Sequence, residues 1–477
     1  MSAWPSQSPL RAPSVALENL RLSKPRLRAK GVLLSACLIL ALLAEGVAVS
    51  RSPLYAAPLI CALVVAVAID LPLVPLLGSI LVVRIMTDAS LSSSLNRHSG
   101  SVNLSGAIAA LFVLISLGLL IRRRKGVWQA AALLVFIAIW TGVAISSKGA
   151  STVTIREGVR EASIAAVAVL VFNSRGALNL KVVTRLIQVA GILSALLAIY
   201  QFATHKGVMI SGHLRSNGTF SHPNGASMYY AIAATASLWR YLDVGKRRSD
   251  LIMAGIFAAA TISTFSLGGL ATFLVMLMVF GSLRPGAFRI KVGSYAVAFL
   301  TVIAFLATPL GAERIANESS TSLNSTVTKR TADTSLGWRF YKWQTLLPEW
   351  ERGPFFGQGL GATVTVEGIA AENGTTAKVP HNEYVRYLVE TGMVGLAIVL
   401  WAVCMLWAGL VRRRRVPETH NGGSFALAIV AGCLFNALGD NTFLYSTTGY
   451  AVAMIVAAAY GIPKRRSVMV RRPLSAA

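Results

Sequence analysis

"VPHNEYVRYLVETGMVGLAIVL", Val379 to Leu400, opens on a histidine, a glutamate and an arginine and then turns into a hydrophobic run that continues to Val411. A helix needs roughly twenty predominantly apolar residues to cross a bilayer. The same kind of block recurs along the chain: of 477 residues, 55% are hydrophobic and only 13% charged. Candidate spans fall at 31–49, 54–69, 71–86, 104–121, 127–145, 159–173, 182–203, 226–242, 250–266, 268–283, 292–309, 385–411, 424–439 and 444–462. They predict an all-α protein, a polytopic membrane helical bundle of about twelve to fourteen transmembrane helices. The pairs 54–69/71–86 and 250–266/268–283 are short and nearly contiguous, so each reads either as two spans or as one broken or re-entrant element.

Charge gives the orientation. The formal net charge of +26 would suggest nucleic acid in a soluble protein. Here the basic residues sit in short clusters between apolar blocks, which argues against a nucleic-acid partner. By the positive-inside rule Arg21 to Lys30, "RRRK" 122–125, 173–181, "GKRR" 245–248, 284–291, "RRRR" 412–415 and "KRR" 464–466 face the cytoplasm. Thr87 to Asn103, Ser146 to Gly158, Thr204 to Gly225, Gly311 to Tyr384 and the turn at Asp440 then face outward. The expected organisation is a basic cytoplasmic arm 1–30, transmembrane helices with short loops 31–310, a long extracytoplasmic loop 311–384, C-terminal transmembrane helices 385–463 and a basic cytoplasmic tail 464–477. The apolar stretch after the arm has no small-residue cleavage site and reads as a retained first helix. Cys37, Cys61, Cys404 and Cys433 lie inside apolar blocks without CxxC spacing and read as small buried hydrophobes.

Three outward segments hold residues with chemical potential. In "HLRSNGTFSHPNGASMYY", His213 to Tyr230, turn dipeptides precede a helix whose N-terminal N–H groups attract anions. Arg215 beside it suits a phosphate oxygen by charge and fork geometry; the competing reading is an arginine anchored in lipid headgroups. His222 reads first as a turn or capping residue. In "SLGWRFYKWQTLLPEWERGPFFGQGLGA", Ser335 to Ala362, Trp338, Phe340, Tyr341, Trp343 and Trp350 crowd around Arg339, and Arg339 shares a helical face with Trp343. Either this is an interfacial helix with its aromatics at headgroup depth, or the aromatics serve a sugar and the cation a diphosphate. "GPFFGQGLG" lacks the Lys-Ser/Thr of a P-loop and is a poor nucleotide site. In the third segment, Asn382 is placed to cap the helix that starts near Tyr384, and Arg386 has Glu383 at i−3 and Glu390 at i+4 as ion-pair partners. His381 has no such partner nearby and is either a capping residue or a general base. "GDN", Gly439 to Asn441, reads as a turn first and a site component second. No DxD, HxxxH, HExxH or GxSxG occurs in the outward segments.

The pattern resembles the bacterial O-antigen ligase and O-antigen polymerase family of integral-membrane glycosyltransferases. The likeness rests on "RSNGTFSHPN" (215–224), on an arginine in an aromatic setting followed by "GPFFGQGLG" (353–361), and on "HNEYVRYLVETGMVGL" (381–396). It covers Arg215 to Leu396, and the earlier helices only by hydropathy. It implies a multi-pass protein of the bacterial inner membrane, termini cytoplasmic, working in cell-surface polysaccharide synthesis. Such an enzyme moves a glycan from an undecaprenyl diphosphate carrier to an acceptor sugar hydroxyl, with inversion and with no metal or other cofactor. The acceptor is a lipid-anchored molecule or another glycan, and membrane lipids are the remaining partner. Carried onto this sequence, Arg215 and Arg339 engage the diphosphate and His381 is the base. Lys342 competes with Arg339 for the cation's role. Candidate substrate-binding residues are Asn217, His222 and Asn224 in the first segment, Trp338, Tyr341 and Trp343 in the second, and Asn382 in the third. Arg156 and Arg160 add positive field or pair with Glu157 and Glu161. The reading from a different class is a transporter or flippase of lipid-linked glycans, which also needs a site for a charged headgroup at membrane depth.

Overall fold

The computed structural model describes residues 73–86, 127–148, 152–174, 177–210, 213–284, 288–319, 335–364 and 379–460, with a few isolated positions besides. Among them are thirteen α-helices. These are α1 (Leu73–Met86), α2 (Val127–Lys148), α3 (Thr152–Asn173), α4 (Leu180–Ala203), α5 (Pro223–Arg240), α6 (Arg248–Ser263), α7 (Leu267–Leu283) and α8 (Phe288–Leu306). Then come α9 (Pro309–Ser319), α10 (Ser335–Glu351), α11 (Glu383–Arg414), α12 (His420–Asn436) and α13 (Ser446–Tyr460). A short antiparallel hairpin, β1 (Val208–Ile210) and β2 (His213–Arg215), stands between α4 and α5. The predicted spans that fall on described residues coincide with helices to within a few residues, except that α3 begins earlier, at Thr152. Its first turns carry the charged "REGVRE", which hydropathy alone does not count as helix. Spans 31–49 and 54–69 lie outside the described residues, and 104–121 almost wholly so.

The core forms around α5. Every residue from Pro223 to Ser237 is buried, on all sides of the helix, as expected of a central helix. Small residues make that possible. Gly269 of α7 lies against Ser227, where a Cβ would collide with the serine side chain, so the backbone of α7 rests directly on that small side chain. Around α5 pack α4, α6, α7, α12 and α13, with α1 on α4 and α2 on α3. The interior is mostly apolar but includes polar side chains, and large apolar side chains also face outward. Gln188, Ser194, Thr235 and Ser237 are buried in the interior, whereas Leu193, Phe299, Leu300 and Trp401 face outward. Among the described residues two helices, Leu180–Ala203 and Glu383–Arg414, are long and apolar enough to cross a membrane. The near-contiguous pair at 250–283 resolves as two helices, α6 and α7, turned at Thr264 to Ser266, with Phe265 at φ 49°.

The opening stretch of sequence is not one straight helix. Gly392 adopts φ 64°, ψ −171° and breaks α11. A break strands carbonyls before it and N–H groups after it, and these need partners. The glycine-rich segment supplies them: Gln358 N donates to Val389 O (2.8 Å), Gly359 N to Glu390 O (2.9 Å), and Pro354 O and Phe355 O accept from Met393 N (2.8 Å) and Val394 N (3.1 Å). Gly357, Gly359 and Gly361 all have positive φ. "GPFFGQGLG" is thus the clip that seals a helix break. Beyond the break, Met393 to Val411 is about 28 Å of apolar helix, close to the roughly 30 Å hydrocarbon thickness of a bilayer.

Candidate functional site

The polar half of α11 begins with a cap. Asn382 Oδ1 accepts from Val385 N (3.0 Å), the predicted N-cap. The turn between α12 and α13 is bound to this cap by four further hydrogen bonds. His381 N donates to Asn441 Oδ1 (2.6 Å), Asn382 Nδ2 to Leu438 O (3.0 Å), Glu383 N to Ala437 O (2.9 Å) and Phe443 N to Glu383 Oε1 (2.7 Å). His381 is held at φ 52°, a left-handed conformation uncommon for a non-glycine residue and found where the surroundings over-determine it. The result is a buried pair: His381 Nδ1 lies 2.9 Å from Asp440 Oδ1, with both residues 3% exposed.

The electrostatics set the direction of that hydrogen bond. Burial alone would raise the Asp440 carboxyl. The hydrogen bond and charge of His381, with the charges of Arg339 and His222, override it and hold the group at about 2. Asp440 is therefore a carboxylate and accepts. Nδ1 then carries the proton, and the imidazole lone pair is on Nε2. Asn441 N (2.8 Å) and Tyr445 Oη (3.4 Å) donate to the same Asp440 oxygen.

A second element reaches this pair from α5. His222 caps α5, its Nδ1 accepting from Asn224 N (3.1 Å). Its ring centre stands 6.2 Å from that of His381 and 6.2 Å from that of Tyr445. Asn224 Oδ1 accepts from Arg215 (2.8 Å) and from Ser266 Oγ (3.0 Å). Arg215, opposite Val208 in the hairpin, is buried, and its Nε donates to Thr264 O (3.1 Å). The chain of contacts Arg215, Asn224, His222, His381, Asp440 joins two of the three segments singled out by the sequence. Asn217 serves the loop itself: its side chain donates to Phe220 O and its backbone N to Gln201 Oε1 (3.0 Å).

The third segment arrives through α10. Of its aromatics Trp338 is buried, and Phe340, Tyr341, Trp343 and Trp350 are half-buried. Trp343 Nε1 donates to Pro380 O (2.8 Å) and Lys342 Nζ to Val379 O (2.9 Å), fixing the two residues before His381. Lys342 is fully buried, with its ammonium 5.5 Å from the centre of the Trp338 ring, which in turn stacks on Tyr341 (5.3 Å). Of the two cations that compete in "WRFYKW", Lys342 is committed to the backbone at 379, and Arg339 acts on Asp440. The outward-facing aromatics of this region are instead Phe355 and Phe356, on the clip.

Residues 252–400 match the family model described as O-antigen ligase. That stretch is similar to an O-antigen ligase domain. No curated protein matches the chain. The matched ligase stretch contains Arg339 and His381; Arg215 and Asp440 lie on either side of it.

Beside the His381–Asp440 pair lies an ion network. Arg386 is 1% exposed and binds Glu383 (2.5 Å), Glu161 (2.9 Å) and Glu390 (3.4 Å), so the two local partners expected from spacing are joined by one from α3. Arg156 and Arg160 belong here: Arg160 pairs with Glu157 and lies 3.7 Å from Glu161, and Arg156 lies 3.7 Å from Glu157. Both arginines thus lie against carboxylates of their own helix. Among the described residues, no group of three or more His, Cys, Asp or Glu is placed to hold a metal ion. The residue that sequence reasoning ranked too low is Asp440. Its only local signal is a carboxylate in a "GDN" turn, and its partner is 59 positions away.

Proposed function

We infer that the chain is a multi-pass membrane glycosyltransferase that moves a glycan from a polyprenyl diphosphate to an acceptor sugar hydroxyl on the extracytoplasmic face. The observation that carries this reading is the buried His381–Asp440 pair with Arg339 and, through Asn224 and His222, Arg215 gathered around it. The O-antigen ligase match over residues 252–400 supports it. The exposed large apolar side chains such as Leu193, Phe299, Leu300 and Trp401, and Phe355 and Phe356 beside the first turn of the apolar half of α11, suit a bilayer and its headgroup boundary.

In this mechanism the acceptor oxygen attacks the anomeric carbon, the bond from that carbon to the diphosphate oxygen breaks, and the diphosphate leaves with the electron pair. The acceptor proton passes to His381 Nε2, and Asp440 stabilises the imidazolium that forms. Arg215 and Arg339 balance the charge that develops on the leaving group, and the N-terminus of α5 adds its dipole. Attack from the face opposite the diphosphate inverts the anomeric centre, and guanidinium groups take the part a metal plays elsewhere. Asn217, Trp338, Tyr341, Trp343 and Asn382 shape the walls of the site through the loop and backbone contacts described above. The donor's polyprenyl tail stays in the bilayer while its diphosphate lies at this site. The test is transfer of sugar from a synthetic polyprenyl diphosphate donor by the purified full-length chain. A single transferred unit marks a ligase and a ladder of products a polymerase; absence of any transfer across a panel of acceptors sinks the reading.

A further inference from the structure

Asn441 is completely buried, and its amide cannot be flipped. Oδ1 accepts from His381 N at 2.6 Å, a contact only an oxygen can make. Nδ2 is about 2.2 Å from Oδ1 in the planar amide, which places it within about 5 Å of the His381 backbone nitrogen. That Nδ2 is buried and has no hydrogen-bond partner among the described residues. A buried amide donor without an acceptor is costly, and at a functional site it asks for an explanation. Two more buried donors share the condition: Arg339 Nε and Trp338 Nε1, in the first turns of the helix that packs against residues 379–380. Three donors without acceptors, from both sides of His381, leave the site short of oxygen atoms. A ligand rich in acceptors and poor in donors corrects that imbalance, and a phosphoryl group has this character.

We propose that Asn441 is a substrate-binding residue: its Oδ1 holds the His381 backbone, and its Nδ2, with Trp338 Nε1 and Arg339 Nε, donates to phosphoryl oxygens of the diphosphate. The proposal rests on the glycosyl-transfer reading and assigns its donor-side contacts. Asn441→Asp keeps an oxygen for His381 N–H and removes the donor. Trp338→Phe removes one N–H and leaves a ring on Tyr341. Each variant should raise the donor KM, and the inhibition constant of inorganic pyrophosphate, by about 10- to 150-fold, the range for one hydrogen bond to a charged group. A purely structural role for Asn441 would instead appear as lost thermal stability or lost kcat with pyrophosphate inhibition unchanged.

The assays use the full-length chain in lipid nanodiscs. If wild type transfers no glycan, the functional reading fails and takes this assignment with it. If wild type transfers, and both variants keep its donor KM and its pyrophosphate inhibition, the functional reading stands and the Asn441 assignment is overturned. Should Asn441→Asp fail to fold, Trp338→Phe decides alone, and an unchanged KM there also overturns the proposal.

Discussion

Replacing Asp440 by asparagine isolates the charge of the buried pair, because the side chain keeps its shape. Asn441 N donates to the same oxygen that faces His381 Nδ1, so the asparagine carbonyl takes that position and the histidine keeps its tautomer. What disappears is the negative charge. Its worth follows from the displacement of the carboxyl from 3.8 to about 2. At about 1.4 kcal/mol per pH unit this is about 2 kcal/mol, net of the burial that opposes it. Delivered in full to the imidazolium of the transition state, that energy corresponds to a drop of roughly 30- to 60-fold in turnover. The same quantity enters stability. The Asp440 pKa is depressed in the folded chain, so its contribution is complete above the usual carboxylate value and is lost as pH falls through that value towards 2.

Two measurements check this. In a transfer assay with a fluorescent polyprenyl diphosphate donor, Asp440→Asn should lower kcat by the stated factor with little change in donor KM. In thermal unfolding, the variant should be less stable than wild type at neutral pH and converge with it as the medium is acidified below about pH 4. An Asp440→Asn protein with wild-type turnover would refute the claim that this carboxylate serves the base. A stability difference that widens in acid would refute the electrostatic account of the pair.

The other expectations follow from the same geometry. His381→Ala should reduce transfer by about 10²- to 10⁴-fold, the usual worth of general-base help, with membrane expression retained by immunoblot. Arg215→Lys should fail in the same assay despite its charge, because Arg215 spends separate fork nitrogens on Thr264 O and Asn224 Oδ1, which one ammonium cannot span together. Gly392→Ala forces a Cβ into Phe355 O at a left-handed position and should cost about 1–3 kcal/mol, read as a lowered melting temperature and faster proteolysis at 353–361.

How far the fold was legible depended on the range of the forces involved. Hydropathy is a property of each segment alone, so helix positions such as α4, α7 and α12 could be read without knowing their neighbours. Caps are equally local: Asn382 accepts from a residue three positions on, and His222 from one two positions on. Arg386 was legible by half. Glu383 and Glu390 lie within a turn of it, and Glu161 is 225 residues distant. The break at Gly392 was hidden for a related reason. The glycine is unremarkable within an apolar run, and only the arrival of the clip, with its three positive-φ glycines, satisfies the groups that a break exposes.

Asp440 shows where such reading ends. A carboxylate in a Gly-Asp-Asn turn has an ordinary explanation in turn chemistry, since aspartate bonds readily to nearby backbone, and here it does accept from Asn441 N. Nothing local distinguishes it from a turn residue. It gains a second role because the cap of α11 and the turn before α13 bind each other through four backbone-anchored hydrogen bonds, an arrangement made by packing of α11 on α12. The histidine and the carboxylate are thus joined by tertiary structure, although each sits in a motif with a sufficient local reason to exist. The chemistry of the pair depends on that joining: without Asp440 the Nδ1 proton has no fixed owner, and the lone pair has no fixed side.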